Sequence, residues 1–172
     1  YYSLTDYYML TPDLTAFIGL DNFKELLQDK LFLKSIGNIF KFVLFIMPVQ
    51  VGTALFLALL VNNKAKGTIF YKIAFFSPVV MSLVVVSVLW LYLLNPADGL
   101  INVILEAIGL NPQPLLTSPK QAMYVIILIS AWQGAGYQML IFLAGLQNIP
   151  SKVYEASTID GATKWEQFKH IT

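Results

Sequence analysis

Cysteine and arginine are absent from this chain of 172 residues, and histidine occurs once, at position 170. Without cysteine there is no disulfide, no thiolate nucleophile and no zinc–thiolate site, and His170 alone offers a transition metal no imidazole cluster. No metal and no cofactor are therefore expected. All eleven cations are lysine, so the planar guanidinium fork that grips phosphates is missing, and a net charge of +1 builds no basic field. Nucleic acid is not an expected partner. Charge itself is scarce, at 12% of residues, and 57% of residues are apolar; soluble domains average about 25% and about 45–50%. The bilayer, rather than water, is the main solvent this composition suits. No paired carboxylates, nucleophile–base set or metal ligands gather along the chain, so an enzyme is not expected. The opening residues, from Tyr1, have neither a basic region nor a short apolar run ending in small residues, and do not read as a signal peptide. The chain is expected to be part of a longer one, with an apolar span before Tyr1 and more after Thr172.

What is abundant is long uncharged sequence. Between Lys41 and Asn62 lie twenty residues, FVLFIMPVQVGTALFLALLV, without an ionisable group; as a helix they measure about 30 Å, one hydrocarbon thickness. A second run fills the twenty-five positions between Lys72 and Asp98, with Trp90 and Tyr92 toward one end, where amphipathic rings suit the membrane interface. The third holds thirty-one positions between Lys120 and Lys152, longer than one span, with Pro150 helping to end it. Membrane helices are expected near 42–61, 73–95 and 122–145. Pro48 and Pro78 interrupt the first two runs; in a helical bundle neighbours can satisfy the freed carbonyls, so both read as kinks and not breaks.

The connecting pieces differ. Residues 1–41 are mixed, and GLDNFKELLQDKLF places Phe23, Leu26, Leu27 and Leu31 on one face of a short interfacial helix with Asp21 as its N-cap. The stretch from Asn62 to Lys72 is a short basic loop, and a second short helix is expected near Gly99 to Leu110, bounded by Pro96 and Pro112. The expected organisation is an extracytoplasmic segment over 1–41, a membrane core over 42–150 and a polar tail over 151–172. Three lysines and no acid in the 62–72 loop argue for the cytoplasm, and three spans put the tail on that side. The wider count decides nothing: Lys64, Lys66, Lys72, Lys152, Lys164 and Lys169 stand against Lys24, Lys30, Lys34, Lys41 and Lys120.

The tail breaks the apolar pattern. From Tyr154 to Thr172 it carries three acids and two lysines. Ser151 can cap a short helix through KVYEAST, Asp160-Gly161 signals a turn, and Thr163 to Glu166 has the spacing of a capping box. Trp165, Phe168 and Ile171 then recur every three residues, giving two short helices joined by a tight bend, the second amphipathic. On these features alone an interfacial helix leading into a further span remains an alternative. A DNA-reading helix-turn-helix is disfavoured because no basic face follows.

The segment EASTIDGATKWEQFKHIT resembles the cytoplasmic EAA signature of binding-protein-dependent ABC transporter permeases. GLDNFKELLQD, FYKIAFFSPVVMS and WQGAGYQMLIFLAGLQNIPSKVYEA are similar to the carbohydrate-type permeases of the maltose and glycerol-phosphate importer group, so the resemblance runs from about Phe17 to Thr172. Ser157 departs from the pattern, standing where the third residue of Glu-Ala-Ala is expected, and the chain stops before the apolar-Pro that ends the motif. The resemblance implies an all-α membrane protein: part of the type I importer permease core (MetI-like), with three transmembrane helices and a coupling loop. By it, the first tail helix sits in a groove of a cytoplasmic ATPase subunit, with Glu155, Ala156, Ser157, Asp160, Gly161 and Ala162 forming the joint. It further implies a second permease subunit, an extracytoplasmic solute-binding protein, a sugar or sugar derivative as cargo, and a place in the cytoplasmic membrane of a bacterium or archaeon. No G-x-x-x-x-G-K-[ST] loop is present, so the energy would come from the partner.

Two readings of the third run stay open. Ser130, Ala131, Gly134 and Ala135 are small residues at packing spacing. Gln133, Tyr137 and Gln138 are polar, costly against lipid and better placed on a watery path or against another helix; Trp132 is a candidate stacking ring, and Gln50 faces the same choice. Absence of intramembrane charge fits a neutral or weakly charged cargo. A permease for a non-sugar solute is the nearest alternative. A secondary transporter is a further one, but would need coupling carboxylates or ion sites that 42–61, 73–97 and 121–151 lack.

Overall fold

The structure is a computed structural model that describes residues 1–10, 15–62 and 68–172. Lys64 and Lys66 of the expected basic loop lie outside the described residues. The chain divides into two compact units, Tyr1–Leu44 and Phe45–Thr172.

In the first unit a 3-10 turn at Tyr2–Leu4 leads into strand β1 (Thr5–Asp6), which pairs antiparallel with β2 (Ala16–Phe17), Thr5 opposite Phe17. Helix α1 (Asp21–Gln28) is tied to this ladder by the Asn22 amide, which donates to the carbonyls of Ser3 and Thr5, both at 3.1 Å. The expected Asp21 cap is not formed. Leu20 holds the cap position, while Asp21 is already helical and pairs with Lys24 at 2.6 Å, its charge still in the first turn where the helix dipole favours it. Leu31 belongs to the next helix, α2 (Lys30–Asn62), and not to α1. Asp29 starts that helix early: its carboxylate accepts from the Leu31 N–H at 2.7 Å, and its carbonyl from Leu33 at 3.0 Å. The first long helix therefore begins twelve residues before the uncharged run does, at Lys30 instead of Phe42.

In the second unit α2 continues unbroken through Pro48, as a kink-tolerant membrane helix would. The second run behaves otherwise. It forms α3 (Thr68–Val80) and α4 (Leu83–Leu93), bent by 100° at the break between them, in place of the single kinked helix expected over 73–95. Pro78 sits inside α3 and has no N–H for the Ala74 carbonyl; the Ser77 hydroxyl donates to that carbonyl instead, at 2.9 Å. The break comes three residues later, where Ser82 acts as a cap. Its hydroxyl accepts from the Val84 N–H at 3.3 Å and its carbonyl from Val86 at 3.0 Å, so a fresh helix starts there.

Short helix α5 (Leu100–Ala107) follows, and its end is closed by Gly109 at φ +81, with Gly109 and Leu110 donating back to Glu106 and Leu105. Buried Asn102 holds this connection together: its amide donates to the carbonyls of Pro96 (3.1 Å) and Gln113 (3.0 Å), and accepts from the Gln113 N–H at 2.9 Å. A 3-10 turn at Leu115–Thr117 precedes α6 (Ala122–Gln147), the centre of the unit. Met139, Leu143 and Leu146 of α6 pack on Ala58 and Val61 of α2. On the other flank α3 crosses α6 at Gly136, where an added Cβ would strike the Phe75 carbonyl oxygen. Met139 is fully buried, yet Leu128 and Ile141 of the same helix are more than half exposed (61% and 56%). Such an outer surface suits lipid and not water. Among the described residues two helices, α2 and α6, are long and apolar enough to cross a membrane, or three if the bent α3–α4 pair is one span. The chain ends in α7 (Ser151–Ile159) and α8 (Lys164–His170).

Candidate functional site

The tail forms a braced hairpin. Ser151 is the first residue of α7 and not its cap; Pro150, which has no hydroxyl to offer, holds the cap position. Helix α7 closes on Asp160, after which Gly161 takes φ +83. Its N–H donates to the Thr158 carbonyl (3.1 Å) and that of Ala162 to Ser157 (2.9 Å), the paired bonds of a left-handed glycine stop. A side chain at 161 would be strained whatever the space around it. Helix α8 opens on the expected capping box: Thr163 Oγ1 accepts from the Glu166 N–H at 3.3 Å, and the Glu166 carboxylate accepts from the Thr163 N–H at 2.7 Å. That backbone hydrogen bond, with the Thr163 hydroxyl beside it at 2.8 Å, holds the Glu166 carboxyl below the usual glutamate range.

Of the six joint residues singled out in the sequence, Glu155, Ala156, Asp160 and Gly161 are exposed, and Ser157 and Ala162 are half-buried. Ile159 beside them is 87% exposed and Trp165 on α8 is 69% exposed. The exposed strip is thus mixed acidic, small and apolar, a composition suited to close approach by another protein. On the opposite side Phe168 of α8 and Ile171, just past its end, line an apolar cleft shared with Leu55 of α2 and Ile141 and Phe142 of α6.

The polar residues of α6 fall into separate places. Gln133 and Ser130 line a cleft of about 290 Å³ between α6 and α4, opposite Ser87 and Trp90, and no charged side chain lines it. Trp132 stands edge-on to Trp90, ring centroids 5.5 Å apart at 82°. Gln50 of α2 lies against Gly134, its amide filling the space where a Cβ would be. Tyr137, one turn beyond Gln133, is exposed and outside the cleft lining. Gln138 is half-buried, and its Oε1 is sequestered with no hydrogen-bond partner among the described residues. Trp90 Nε1 is sequestered in the same way. An unpaired buried donor and acceptor each carry a desolvation cost of about 1–3 kcal/mol, which a hydroxylated ligand or water would relieve.

Trp90 is half-buried, edge-on to Trp132, whereas Tyr92 is 75% exposed. Ser87 and Gly136 were missed altogether. The signal for Ser87 was weak, one hydroxyl in a valine-rich run; that for Gly136 was present as Gly-Ala-Gly in the third run. Among the described residues no three His, Asp or Glu side chains converge as metal ligands.

Comparison with known proteins bears on both regions. The profile of the family described as "Binding-protein-dependent transport system inner membrane component" matches residues 32–172. A probable ABC transporter permease protein of Pyrococcus horikoshii is 36% identical over 99% of this chain and 59% of its own length. An sn-glycerol-3-phosphate transport system permease protein of Agrobacterium fabrum is 36% identical over 88% of this chain and 52% of its own. Among solved structures, a bacterial alginate ABC transporter in complex with an alginate pentasaccharide-bound periplasmic protein matches with a TM-score of 0.78 and 29% identity, over 90% of this chain and 54% of that one. The chain spans between half and three-fifths of the length of these relatives.

Proposed function

Because this chain belongs to the family of inner membrane components of binding-protein-dependent transport systems, we propose that it is the permease subunit of an ABC importer that moves a sugar or sugar derivative through a multi-pass bundle. Energy comes from ATP hydrolysed by partner subunits at the cytoplasmic face; the chain itself acts as conduit and not as enzyme. A second permease subunit completes the path, and an extracytoplasmic solute-binding protein delivers the cargo. The α7–α8 hairpin is the joint with the ATPase: Glu155 offers a carboxylate to a cation on the partner, Ala156 and Ser157 permit close approach, and Gly161 makes the bend.

The observation that carries this reading is the hairpin itself, an exposed Glu155–Ala156 face closed by a left-handed glycine, with Phe168 and Ile171 facing a cleft shared with α2 and α6. A sugar cargo is supported by the uncharged cleft, where Gln133, Ser130 and Ser87 offer hydrogen-bonding groups beside the Trp90 ring. The names of the glycerol-phosphate and alginate relatives point the same way. The test is uptake by the full-length protein reconstituted in proteoliposomes with its ATPase, second permease and binding protein. ATP-dependent accumulation of a labelled disaccharide, pentose or sn-glycerol-3-phosphate is expected; accumulation of none of these, with uptake of an amino acid or metal ion, would refute the cargo class.

A further inference from the structure

One polar clasp in the hairpin is made by a residue outside the six assigned to the joint, Gln167. The Gln167 amide of α8 donates to two hydroxyls of α7 at once, Ser157 Oγ at 3.0 Å and Thr158 Oγ1 at 2.9 Å. Both hydroxyls in turn donate to one carbonyl, that of Tyr154, each at 2.8 Å. The two N–H groups of a primary amide are thereby both used, and each hydroxyl both accepts and donates. A second link closes the same hairpin further out, where the hydroxyls of Tyr154 and Thr172 meet at 2.9 Å. Ser157 is the residue that departs from the Glu-Ala-Ala pattern; the alanine expected there could not accept from Gln167.

We propose that Gln167 is a positioning residue for energy coupling: by clasping Ser157 and Thr158 it locks α8 to α7, so that a displacement of α7 is delivered through α8 to the bundle. This rests on the reading of α7 as the ATPase joint. The mechanical path is continuous. Helix α7 carries the exposed joint residues, Gln167 ties α7 to α8, and Phe168, the next residue, reaches the cleft lined by Leu55, Ile141 and Phe142. Backbone connection between α7 and α8 runs only through the bend at Gly161, which resists rotation poorly. Without the clasp only the bend and the outer Tyr154–Thr172 contact would hold the two short helices together, and part of the motion of α7 would be dissipated. Gln167 touches neither nucleotide nor cargo in this scheme.

The test uses the reconstituted full complex and reads solute imported per ATP hydrolysed, with whichever of the labelled disaccharide, pentose or sn-glycerol-3-phosphate the parental complex takes up best. Gln167→Met keeps side-chain length and helix propensity but removes both donors. It should lower the import-to-hydrolysis ratio by at least about fivefold, the size expected for the net contribution of one of the two hydrogen bonds lost, while ATPase subunits still co-purify at the parental level. Ser157→Ala with Thr158→Val removes the acceptors from the other side and should lower the ratio similarly. The triple variant should be no worse than either parent, because all three changes delete one interaction. The ratio is independent of how much protein reaches the membrane, so reduced abundance cannot imitate the effect. A parental ratio in Gln167→Met, or additive losses in the triple variant, would overturn the clasp. Gly161→Val serves as reference: if it lowers the import-to-hydrolysis ratio while Gln167→Met leaves it parental, the clasp alone fails, and if Gly161→Val and Glu155→Lys both import at the parental level, the coupling joint fails as well.

Discussion

Gly136→Ala should destabilise the bundle, and Gly134→Ala, two residues away on the same helix, should not. At 136 the added methyl would meet the Phe75 carbonyl oxygen, with the Phe75 carbonyl carbon at 3.0 Å and Phe76 Cα at 3.1 Å. All three are backbone atoms of α3, so relief requires the two helices to separate. Overpacking of this kind costs typically about 1–3 kcal/mol, against a gain of about 1 kcal/mol from replacing glycine by alanine within a helix. Separation also loosens the rest of the α3–α6 seam, including buried Ala135 and Pro78, so the net loss should reach about 1–2 kcal/mol. At 134 the methyl meets only the amide end of Gln50, a flexible side chain that can swing aside. The helix-propensity gain and the displaced amide then leave a net change within about 0.5 kcal/mol, as for mild substitutions in general. The assay is thermal unfolding of the purified full-length subunit in detergent, with membrane abundance as a second readout. Equal stability of Gly136→Ala and parent, or a larger loss at 134 than at 136, would refute the close-crossing argument.

Further outcomes follow from the same coordinates. Gln133→Leu should lower sugar uptake without lowering membrane abundance, since a cargo hydroxyl left unbonded in the cleft costs about 1–3 kcal/mol; Gln138→Leu and Tyr137→Phe, outside the cleft lining, should have smaller effects, and uptake at the parental level in all would assign these residues to packing. Thr163→Ala should cost about 1 kcal/mol through loss of the capping box, read as faster hydrogen exchange across α8. Because the Glu166 carboxyl is held below its ordinary range, its contribution is complete above the unfolded glutamate value and disappears as pH falls through the lowered one. Protection against hydrogen exchange across α8, measured relative to the intrinsic rate at each pH, should therefore fall in acid, and Glu166→Gln should remove that pH-dependent loss. Single cysteines at Lys66, Glu106 and Glu166 test orientation in intact cells: positions 66 and 166 should be shielded from an impermeant reagent and 106 open, and labelling of 66 from outside would overturn the arrangement.

Helix α6 and the tail were legible in the sequence because each rests on a local rule. Absence of charge over a membrane thickness marks α6, and Gly161, Thr163 and Glu166 announce a stop and a start at fixed offsets. The bend between α3 and α4 was not legible, because the outcome turns on Ser82 winning the Val84 N–H after Pro78 has weakened the ladder. That competition is three-dimensional, and a proline in an apolar run is equally compatible with a continuous helix, as Pro48 shows. Caps at Asp21 and Ser151 were misplaced by one residue for a similar reason: Lys24 took the first carboxylate, and Pro150 already fixed the extended backbone that the cap position needs. The cleft was half legible. Polar residues in a membrane helix announce themselves, but their partners on α4, Ser87 and Trp90, come from a run whose direction depends on the unforeseen bend. Gln167 carried no signal, since an amide on an amphipathic helix is ordinary until its two acceptors are seen.

The central claim is that α7 contacts an ATPase subunit. The absence of native cysteine from these residues allows it to be tested by cross-linking from single cysteines placed at Glu155 and Ile159, both exposed on α7, in the assembled full-length complex. A short bifunctional thiol reagent should join either position to a cysteine-bearing ATPase subunit, with a yield that changes when ATP is bound, while a cysteine at Glu106 on α5 should give no such product. Absence of any adduct from 155 and 159, in a complex whose ATPase still co-purifies and hydrolyses ATP, would contradict the account.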